Sequence, residues 1–340
     1  MVGCSQRVLA GISVLVLGIC PAYGQSATLE FTDVTEVAGV AVEHEYTDPT
    51  IDLLREVAGG AAGADVDGDG WPDLYVVGGD ARRQYLFRNR GDGTFAESAI
   101  ESGVDLSGEH LFGPAFADID GNRTLDLFVG SFSAAPALFL NDGAGRFAEV
   151  ARARQTFPPA PYMSASFGDY DGDGDLDMFT THWLLLFALG HVDHLWKNDG
   201  FGGFTGATEE AGLILLTEDT PLGPVGWSFT GNFADIDNDG DLDVLLASDF
   251  GRSQVFRNIG GGRFEDISTN VLTEENGMGA AVGDFDNDGD MDWFVTSIFD
   301  ESPEAPDTWG HSGNRLYRNV GGGQFEDATE EAGVRDGGWG

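Results

Sequence analysis

Short apolar segments recur along the chain, and glycine-rich turns separate them. The last repeat shows four types in order: MGAAVG at 278–283, DWFVTS at 292–297, LYRN at 316–319 and FEDAT at 325–329. Side chains that alternate between apolar and polar over such lengths predict half-buried β-strands. We name these strands A to D. The pattern predicts four-stranded antiparallel units, with the apolar residues of strands B and C packed between neighbouring units.

The unit repeats with a period near 50 residues, which is typical of a β-propeller blade. A phenylalanine begins each strand D, at Phe31, Phe95, Phe147, Phe204, Phe264 and Phe325. The chain is therefore predicted to be an all-β propeller with five complete blades. The strand D at Phe31 has no A, B or C before it, and a new strand A would begin after Asp336. We therefore expect further blades beyond these five, and we predict that the chain forms an incomplete ring.

An acidic loop joins strand A to strand B in every blade. In DIDNDGDLD, at Asp235–Asp243, carboxylates stand at loop positions one, three, five and nine, with Gly240 at position six. The frame recurs from Asp65, Asp118, Asp169 and Asp284. Oxygen ligands on alternate residues of a tight loop are what calcium prefers. Five such loops predict up to five calcium ions.

An EF-hand has a similar acidic loop, but it needs a glutamate at position twelve and a helix on each side. Position twelve is here occupied by Val76, Val129, Thr180, Leu246 and Val295. Each loop also runs directly into a predicted strand. The EF-hand interpretation is therefore rejected.

Antiparallel strand order assigns the loops to two faces of the propeller. The acidic A–B loops and the short C–D turns lie on one face, and the B–C and D–A segments lie on the other. The second face has long, unequal segments, at 37–57, 100–112, 151–162, 181–193, 208–224 and 298–313. Uneven loops on a repeating scaffold are where binding usually resides. We therefore predict that a partner binds on the face opposite the acidic loops.

Charge and the first residues indicate the compartment and exclude some partners. The formal net charge is −41, which repels nucleic acid and anionic membranes.

Residues 1–24 have the form of a secretory signal, with Arg7 before an apolar run that is too short to span a membrane. The propeller is then residues 25–340. We expect a secreted, periplasmic or cell-surface protein. Both cysteines, Cys4 and Cys20, lie in the signal, and Ile19 fits a lipidation motif at Cys20 poorly.

The repeated DxDxDGxxDL segments, followed by LFRNxGxG and FxDVTxxAGV, resemble the FG-GAP/VCBS repeat of integrin α-chain propellers. The FxDVTxxAGV motif is most similar to bacterial relatives of cartilage acidic protein, a family associated with an ASPIC/UnbV domain. The resemblance implies a seven-bladed calcium-binding propeller for extracellular adhesion. It also implies a backbone carbonyl ligand at position seven. The implied side-chain ligands are Asp65, Asp67, Asp69, Asp73, Asp118, Asp120, Asn122, Asp126, Asp169, Asp171, Asp173, Asp177, Asp235, Asp237, Asp239, Asp243, Asp284, Asp286, Asp288 and Asp292.

The second loop, Asp118–Asp126, departs from the repeated pattern. Asn122 replaces an aspartate, and Arg123 stands where the other loops have glycine. That position favours a positive φ, which costs a non-glycine residue about 1 kcal/mol. The guanidinium also opposes a neighbouring cation. We therefore expect the second site to be the weakest.

Several other features have both a functional and a structural interpretation. His182, His191 and His194 are the candidates for a transition-metal or acid/base site in a propeller enzyme, such as a polysaccharide lyase or hydrolase; packing is the alternative. Arg90-Gly91-Asp92 spells an adhesion tripeptide, but its position favours a turn. Phe132, Trp183, Phe250 and Phe299 end the B strands and predict either core packing or an aromatic ring for a glycan or peptide. We favour a binding module without catalysis, or an accessory module of a larger protein.

Overall fold

The computed structural model describes residues 31–42, 44, 59–79, 83–107, 109–132, 134–154, 156–183, 192–220, 223–299 and 310–337. The predicted signal segment 1–24 and His191 lie outside the described residues. The chain divides into two compact units, residues 1–34 and 35–340. In the first unit, residues 31–34 have no regular secondary structure, and Phe31 is 95% exposed. The strand predicted at Phe31 is therefore wrong, because a strand forms only where another strand pairs with it.

The second unit contains five four-stranded antiparallel sheets, each in the order A-B-C-D. Blade one consists of β1 (Ala61–Ala64), β2 (Asp73–Val76), β3 (Tyr85–Asn89) and β4 (Phe95–Glu97). Blade two consists of β5 (Leu111–Ala117), β6 (Asp126–Ser131), β7 (Ala137–Asn141) and β8 (Phe147–Glu149). Blade three consists of β9 (Tyr162–Gly168), β10 (Asp177–His182), β11 (His194–Asn198) and β12 (Phe204–Gly206).

A hairpin lies in the connection from blade three to blade four, formed by β13 (Glu218–Thr220) and β14 (Gly223–Val225). Blade four consists of β15 (Ser228–Ala234), β16 (Asp243–Ser248), β17 (Gln254–Asn258) and β18 (Phe264–Asp266). Blade five consists of β19 (Ala280–Gly283), β20 (Asp292–Val295), β21 (Arg315–Asn319) and β22 (Phe325–Asp327). The five predicted blades and their strand order are thus confirmed.

Four one-turn helices within the described residues were not predicted from the sequence. They are α1 (Thr35–Ala38), α2 (Ala99–Ser102), α3 (Ala151–Arg154) and α4 (Thr329–Ala332). The last three follow strand D of their blades directly. Gly103 ends α2 with φ 82°, and its N–H donates to carbonyls of the helix. Glycine is the usual residue at this left-handed position. The glycine that follows three of these helices, at Gly39, Gly103 and Gly333, was the available signal for them.

The core is divided among the contacts between neighbouring blades. Tyr75 and Leu86 of blade one pack with Leu127 and Phe139 of blade two, and all four side chains are at most 2% exposed. Similar clusters join each later pair of blades. Burying one such side chain stabilises the fold by about 1.5–3 kcal/mol. This confirms that strands B and C place their apolar residues between blades.

The A strands of neighbouring blades approach closely. At Gly113 in β5, an added Cβ would lie 2.3 Å from the carbonyl oxygen of Met163 in β9, and φ is +38°. No side chain fits at that distance, so glycine is required where these two strands cross. Small residues in strand A thus allow the A strands of neighbouring blades to approach closely.

The strand order also confirms the two faces. The A–B loops and C–D turns lie at one end of the blades, which we call the acidic face, and the opposite end is the loop face. On the acidic face, Asn238 Nδ2 of blade four donates to Asp290 Oδ1 of blade five at 2.6 Å, so neighbouring loops lie side by side. Arg90-Gly91-Asp92 forms the C–D turn of blade one, closed by a hydrogen bond from Arg90 N to Thr94 O.

Candidate metal centres

Each acidic loop brings at least three carboxylates together. In every blade three ligand oxygens lie within 4.8 Å of one another. Two oxygens that both bind one calcium ion at about 2.3–2.6 Å can lie no more than about 5 Å apart. Positions one, three and nine form the group in four blades, and positions one, three and five form it in blade four: Asp65, Asp67, Asp73; Asp118, Asp120, Asp126; Asp169, Asp171, Asp177; Asp235, Asp237, Asp239; Asp284, Asp286, Asp292.

The aspartate at position one organises the loop backbone. Asp65 Oδ1 accepts from the N–H groups of Gly68 and Asp69 at 2.9 and 3.1 Å, and its Oδ2 accepts from Gly70 N at 2.8 Å. The same contacts recur around Asp169. Because the backbone curls around this carboxylate, the side chains at positions three and nine point towards it.

The aspartate at position five lies outside the closest carboxylate group in blades one, three and five. The side chain at position five fixes the following turn: Asp69 Oδ1 accepts from Trp71 N at 2.9 Å, and Asn122 Oδ1 accepts from Thr124 N at 2.8 Å. The structure therefore brings Asp69, Asp173 and Asp288 into the predicted loops but not into the closest carboxylate group. In blade four the residue outside that group is Asp243.

The aspartate at position nine is buried and bridges two parts of its blade. Asp177 Oδ1 accepts from Asn198 N of strand C at 2.8 Å, and its Oδ2 accepts from Tyr170 N at 3.3 Å. Burial raises the pKa of Asp177 to about 7, and it raises the pKa values of Asp126 and Asp243 to about 6. A buried carboxylate is costly when it is ionised without a cation. A bound metal ion would remove that cost.

The sequence interpretation missed the asparagine that ends each strand C. Asn198 Nδ2 donates to Leu176 O at 2.9 Å within its blade and to Ile119 O of blade two at 2.7 Å. Asn141, Asn258 and Asn319 join their blades to the preceding ones in the same way. These side chains were interpreted only as turn residues. Their exact recurrence before each C–D turn was the available signal.

Three carboxylate oxygens support a cation at these loops. Asp118 Oδ1, Asp171 Oδ1 and Asp237 Oδ1 are buried, and no hydrogen-bond donor reaches them. Buried polar atoms normally have a partner. Carboxylate oxygens are hard ligands that suit calcium, so the donor set fits that ion. The five clusters are thus able to hold metal ions at the loops that tie strand A to strand B.

The second loop has the backbone conformation that its sequence predicts. Arg123 has φ 71°, where the corresponding glycines Gly70, Gly174, Gly240 and Gly289 have φ between 90° and 98°. Arg123 N still donates to Asp118 Oδ2 at 2.9 Å. The arginine therefore keeps the loop hydrogen bond in a conformation that is unfavourable for an L-residue.

Replacing Arg123 with glycine is expected to stabilise the protein by about 0.5–1 kcal/mol, because it relieves the left-handed backbone. Thermal unfolding in chelator measures this effect. If Arg123→Gly stabilises the protein more in calcium than in chelator, the additional stabilisation comes from removing the guanidinium from the metal site. Arg90→Gly is the matched control, since Arg90 is an exposed arginine of the same face without a positive φ. Equal effects of the two variants would contradict the prediction.

On the loop face, the candidate histidines lie in packed surroundings. His182 is 1% exposed, and its ring lies 4.5 Å from Tyr162 and 5.5 Å from His194. Asp193 accepts from His182 N at 2.7 Å and from Ser228 Oγ at 2.6 Å. Burial raises the pKa of Asp193 to about 7. The structure thus brings His182 and His194 together in blade three, where His182 is buried and His194 is half-buried.

The four aromatic residues at the ends of the B strands do not form one exposed ring. Phe132 and Trp183 are 8% and 7% exposed and belong to a buried cluster with Trp227. Phe250 is 47% exposed and contacts Trp227 edge-on, with ring centroids 5.1 Å apart. Phe299 is half-buried under Arg335. Core packing accounts for two of the four, and Phe250 is the member presented to solvent.

A family model for the FG-GAP-like repeat matches residues 65–129, 118–180 and 235–295, together just over half of the chain. These segments contain all five acidic loops. The chain belongs to the FG-GAP-like repeat family. The acidic loops described above are therefore the characteristic loops of its FG-GAP repeats.

Curated relatives of these FG-GAP repeats include cartilage acidic protein 1. The Homo sapiens protein is 30% identical over 169 residues, which are 48% of this chain and 24% of the relative. The Mus musculus protein is 29% identical over 169 residues, with the same shares. The chain thus matches about a quarter of the length of these relatives.

A solved structure shares the fold of these FG-GAP repeats. It is a lectin from Agrocybe aegerita that recognises non-reducing terminal N-acetylglucosamine, with a TM-score of 0.52 and 18% identity. The match covers 79% of this chain and 65% of the lectin chain. At this identity the likeness concerns the β-propeller fold alone. In the part of the chain that the structure describes, no helix has the length and hydropathy to span a membrane.

Proposed function

We propose that this chain is a secreted calcium-binding propeller that binds an extracellular protein or glycan through its loop face. The observation that carries the proposal is the difference between the two faces of the propeller. The acidic face repeats one loop five times, each loop hydrogen-bonded to its own blade. The loop face has connections of unequal length and an exposed aromatic residue at Phe250. Calcium is then structural, and the ligand belongs to the other face.

Calcium ligation is assigned to the side chains of the five loops. Positions one, three, five and nine supply the oxygens, and calcium supplies the charge that makes three or four neighbouring carboxylates compatible. In blade two the set contains one charge fewer because of Asn122. Extracellular calcium is abundant enough to occupy sites with dissociation constants of about 10⁻⁴–10⁻³ M.

The loop face offers chemistry suited to a neutral polar ligand. Phe250 has φ 59°, a conformation that is costly for a bulky residue. Its ring makes an edge-on contact with the ring of Trp227. Asp249 beside it accepts a hydrogen bond from Trp183 Nε1 at 2.8 Å. An aromatic face next to polar groups is a common means of binding sugar or peptide. The lectin of the same fold makes a glycan the first class to test.

The proposal gives the chain no catalytic role. His182 is enclosed by Tyr162, His194 and Asp193, so a substrate has no direct access to its ring. This environment supports the packing interpretation of the histidines. Because the curated relatives are about four times longer than the matched region, an accessory role within a larger protein is compatible with the same binding function.

A glycan array that includes terminal N-acetylglucosamine tests the proposal, with binding measured in calcium. Phe250→Ala is expected to weaken binding at least about tenfold, as for a central aromatic contact. Trp71→Ala is the matched control, because Trp71 is 51% exposed on the acidic face. It should leave binding unchanged. Loss of binding in the Trp71 variant alone would place the ligand on the acidic face and overturn the assignment.

A further inference from the structure

The residue that precedes the recurring asparagine of strand C differs among the blades. It is a cation in four blades, namely Arg88, Lys197, Arg257 and Arg318, and Leu140 takes its place in blade two. All five positions lie next to the acidic loop of their own blade. The structure shows two distinct arrangements of these cations.

In blades one and three the cation contacts the acidic loop. Arg88 pairs with Asp67, and its Nε lies 3.3 Å from Oδ2 of Asp73. Lys197 pairs with Asp171, and its Nζ lies 3.0 Å from Oδ2 of Asp173. Hydrogen bonding to Lys197 lowers the pKa of Asp173. The side-chain cation thus neutralises carboxylates that would otherwise bind calcium.

In blades four and five the cation contacts strand D instead. Arg257 Nη2 lies 3.2 Å from Oε2 of Glu265, and Arg318 Nε donates to Glu326 Oε1 at 2.9 Å. Arg318 Nη2 also lies 3.3 Å from Glu331. No ion pair between these two arginines and the acidic loops is present among the described residues.

Strand register explains the difference. Each C-strand cation faces one residue of strand D directly: Arg88 faces Ala96, and Lys197 faces Thr205. Arg257 faces Glu265, and Arg318 faces Glu326. Directly opposed residues of opposite charge attract one another. Where strand D has no carboxylate at the position that faces the cation, as at Ala96 and Thr205, the cation contacts the acidic loop.

We propose that this C-strand cation tunes the calcium affinity of the four blades that contain it. In blades one and three, Arg88 and Lys197 compete with calcium for the loop carboxylates. In blades four and five, the glutamate on strand D pairs with the arginine and keeps it out of direct contact with the loop carboxylates. Blades four and five therefore fill with calcium before blades one and three, whose loop carboxylates remain partly neutralised by the cation when calcium is absent. The inference rests on the proposed calcium binding.

Trp71 allows the site of blade one to be observed alone. It occupies position seven of the first loop, where the other loops have Thr124, Asp175, Asp241 and Asp290. Terbium prefers the same hard oxygen ligands as calcium, and a neighbouring tryptophan sensitises its luminescence. The part of the signal that Trp71→Phe removes reports blade one. Competition with calcium then gives the calcium affinity of that site.

Arg88→Leu reproduces the residue of blade two and should tighten calcium binding at blade one about tenfold, since it removes a competing charge within about 4 Å. Arg88→Lys keeps the charge and should change the affinity little. Arg257→Leu is the matched control and should leave blade one unchanged. Circular dichroism confirms that each variant is folded.

Blade four provides the reverse experiment. In a Trp71→Phe background, Asp241→Trp moves the luminescent reporter to the fourth loop. Glu265→Gln then frees Arg257, and calcium binding should weaken about two- to threefold. The change is smaller than at Arg88 because Glu265 is 58% exposed and such pairs are weak. Adding Arg257→Leu should restore the affinity.

The outcomes separate this inference from the proposed function. If the unmodified protein binds neither terbium nor calcium, the calcium-binding function itself fails. If it binds both but Arg88→Leu leaves blade one unchanged or weaker, the competition is refuted while calcium binding stands. If Glu265→Gln does not weaken calcium binding at blade four, Glu265 does not keep Arg257 from competing with calcium.

Discussion

Removal of calcium by a chelator is expected to lower the melting temperature of this protein by at least about 10 °C. At 5 mM calcium, sites with dissociation constants of about 10⁻⁴–10⁻³ M each contribute about 1–2 kcal/mol to the free energy of unfolding. Five sites on one cooperative unit raise the melting temperature by roughly this amount. Calorimetry in calcium and in chelator measures the shift.

Two variants show whether the shift comes from the acidic loops. Asp237→Asn removes a charge from the fourth loop, and its Oδ1 is one of the buried oxygens without a donor. The calcium-dependent part of its melting temperature should be smaller. Glu101→Gln removes an exposed acidic charge outside the loops and should leave that part unchanged. An unmodified protein with the same melting temperature in both buffers would refute structural calcium.

Without calcium, stability is expected to fall as the pH rises from about 4 to about 7. Burial raises the pKa values of Asp126 and Asp243 to about 6 and that of Asp177 to about 7. The folded state then binds more protons than the unfolded state in this range, so the free energy of unfolding decreases with pH. One pKa unit at each of these three groups corresponds to about 4 kcal/mol in total.

With calcium the slope should reverse, because protonation of the same carboxylates at low pH releases the metal. Urea unfolding at several pH values, in calcium and in chelator, gives both curves. Asp193 is the internal control, since burial raises its pKa to about 7 and it lies just before strand C of blade three, at the loop-face end of the blade. Asp193→Asn should make stability fall less steeply with pH in chelator and rise more steeply with pH in calcium. A metal-free protein that becomes more stable from pH 4 to 7 would contradict the prediction.

The division of the chain into blades follows from local patterns that a single sequence contains. Apolar alternation predicts the strands, and the 49–66 residue spacing of the acidic loops predicts the blade. Antiparallel order then separates the acidic face from the loop face. These inferences need only the geometry of neighbouring strands, and they agree with the five sheets of the structure.

The one-turn helices and the asparagines of strand C show where local patterns were insufficient. A four-residue helix such as α2 has too few positions to show a helical period. Asn198 looks like a turn residue because its distant acceptor, Ile119 O, lies 79 positions away in the chain. Its contact with the preceding blade exists only after two sheets have packed together.

The sequence by itself determined the carboxylates of the five loops, because four ligand residues lie within nine positions of one another. The tertiary structure decided how each loop is neutralised. Arg88 and Arg257 occupy equivalent places in almost identical segments, LFRN and VFRN. One faces Ala96 and contacts the acidic loop, whereas the other faces Glu265 and contacts strand D. The difference depends on strand register, which brings together side chains that are not adjacent in the chain.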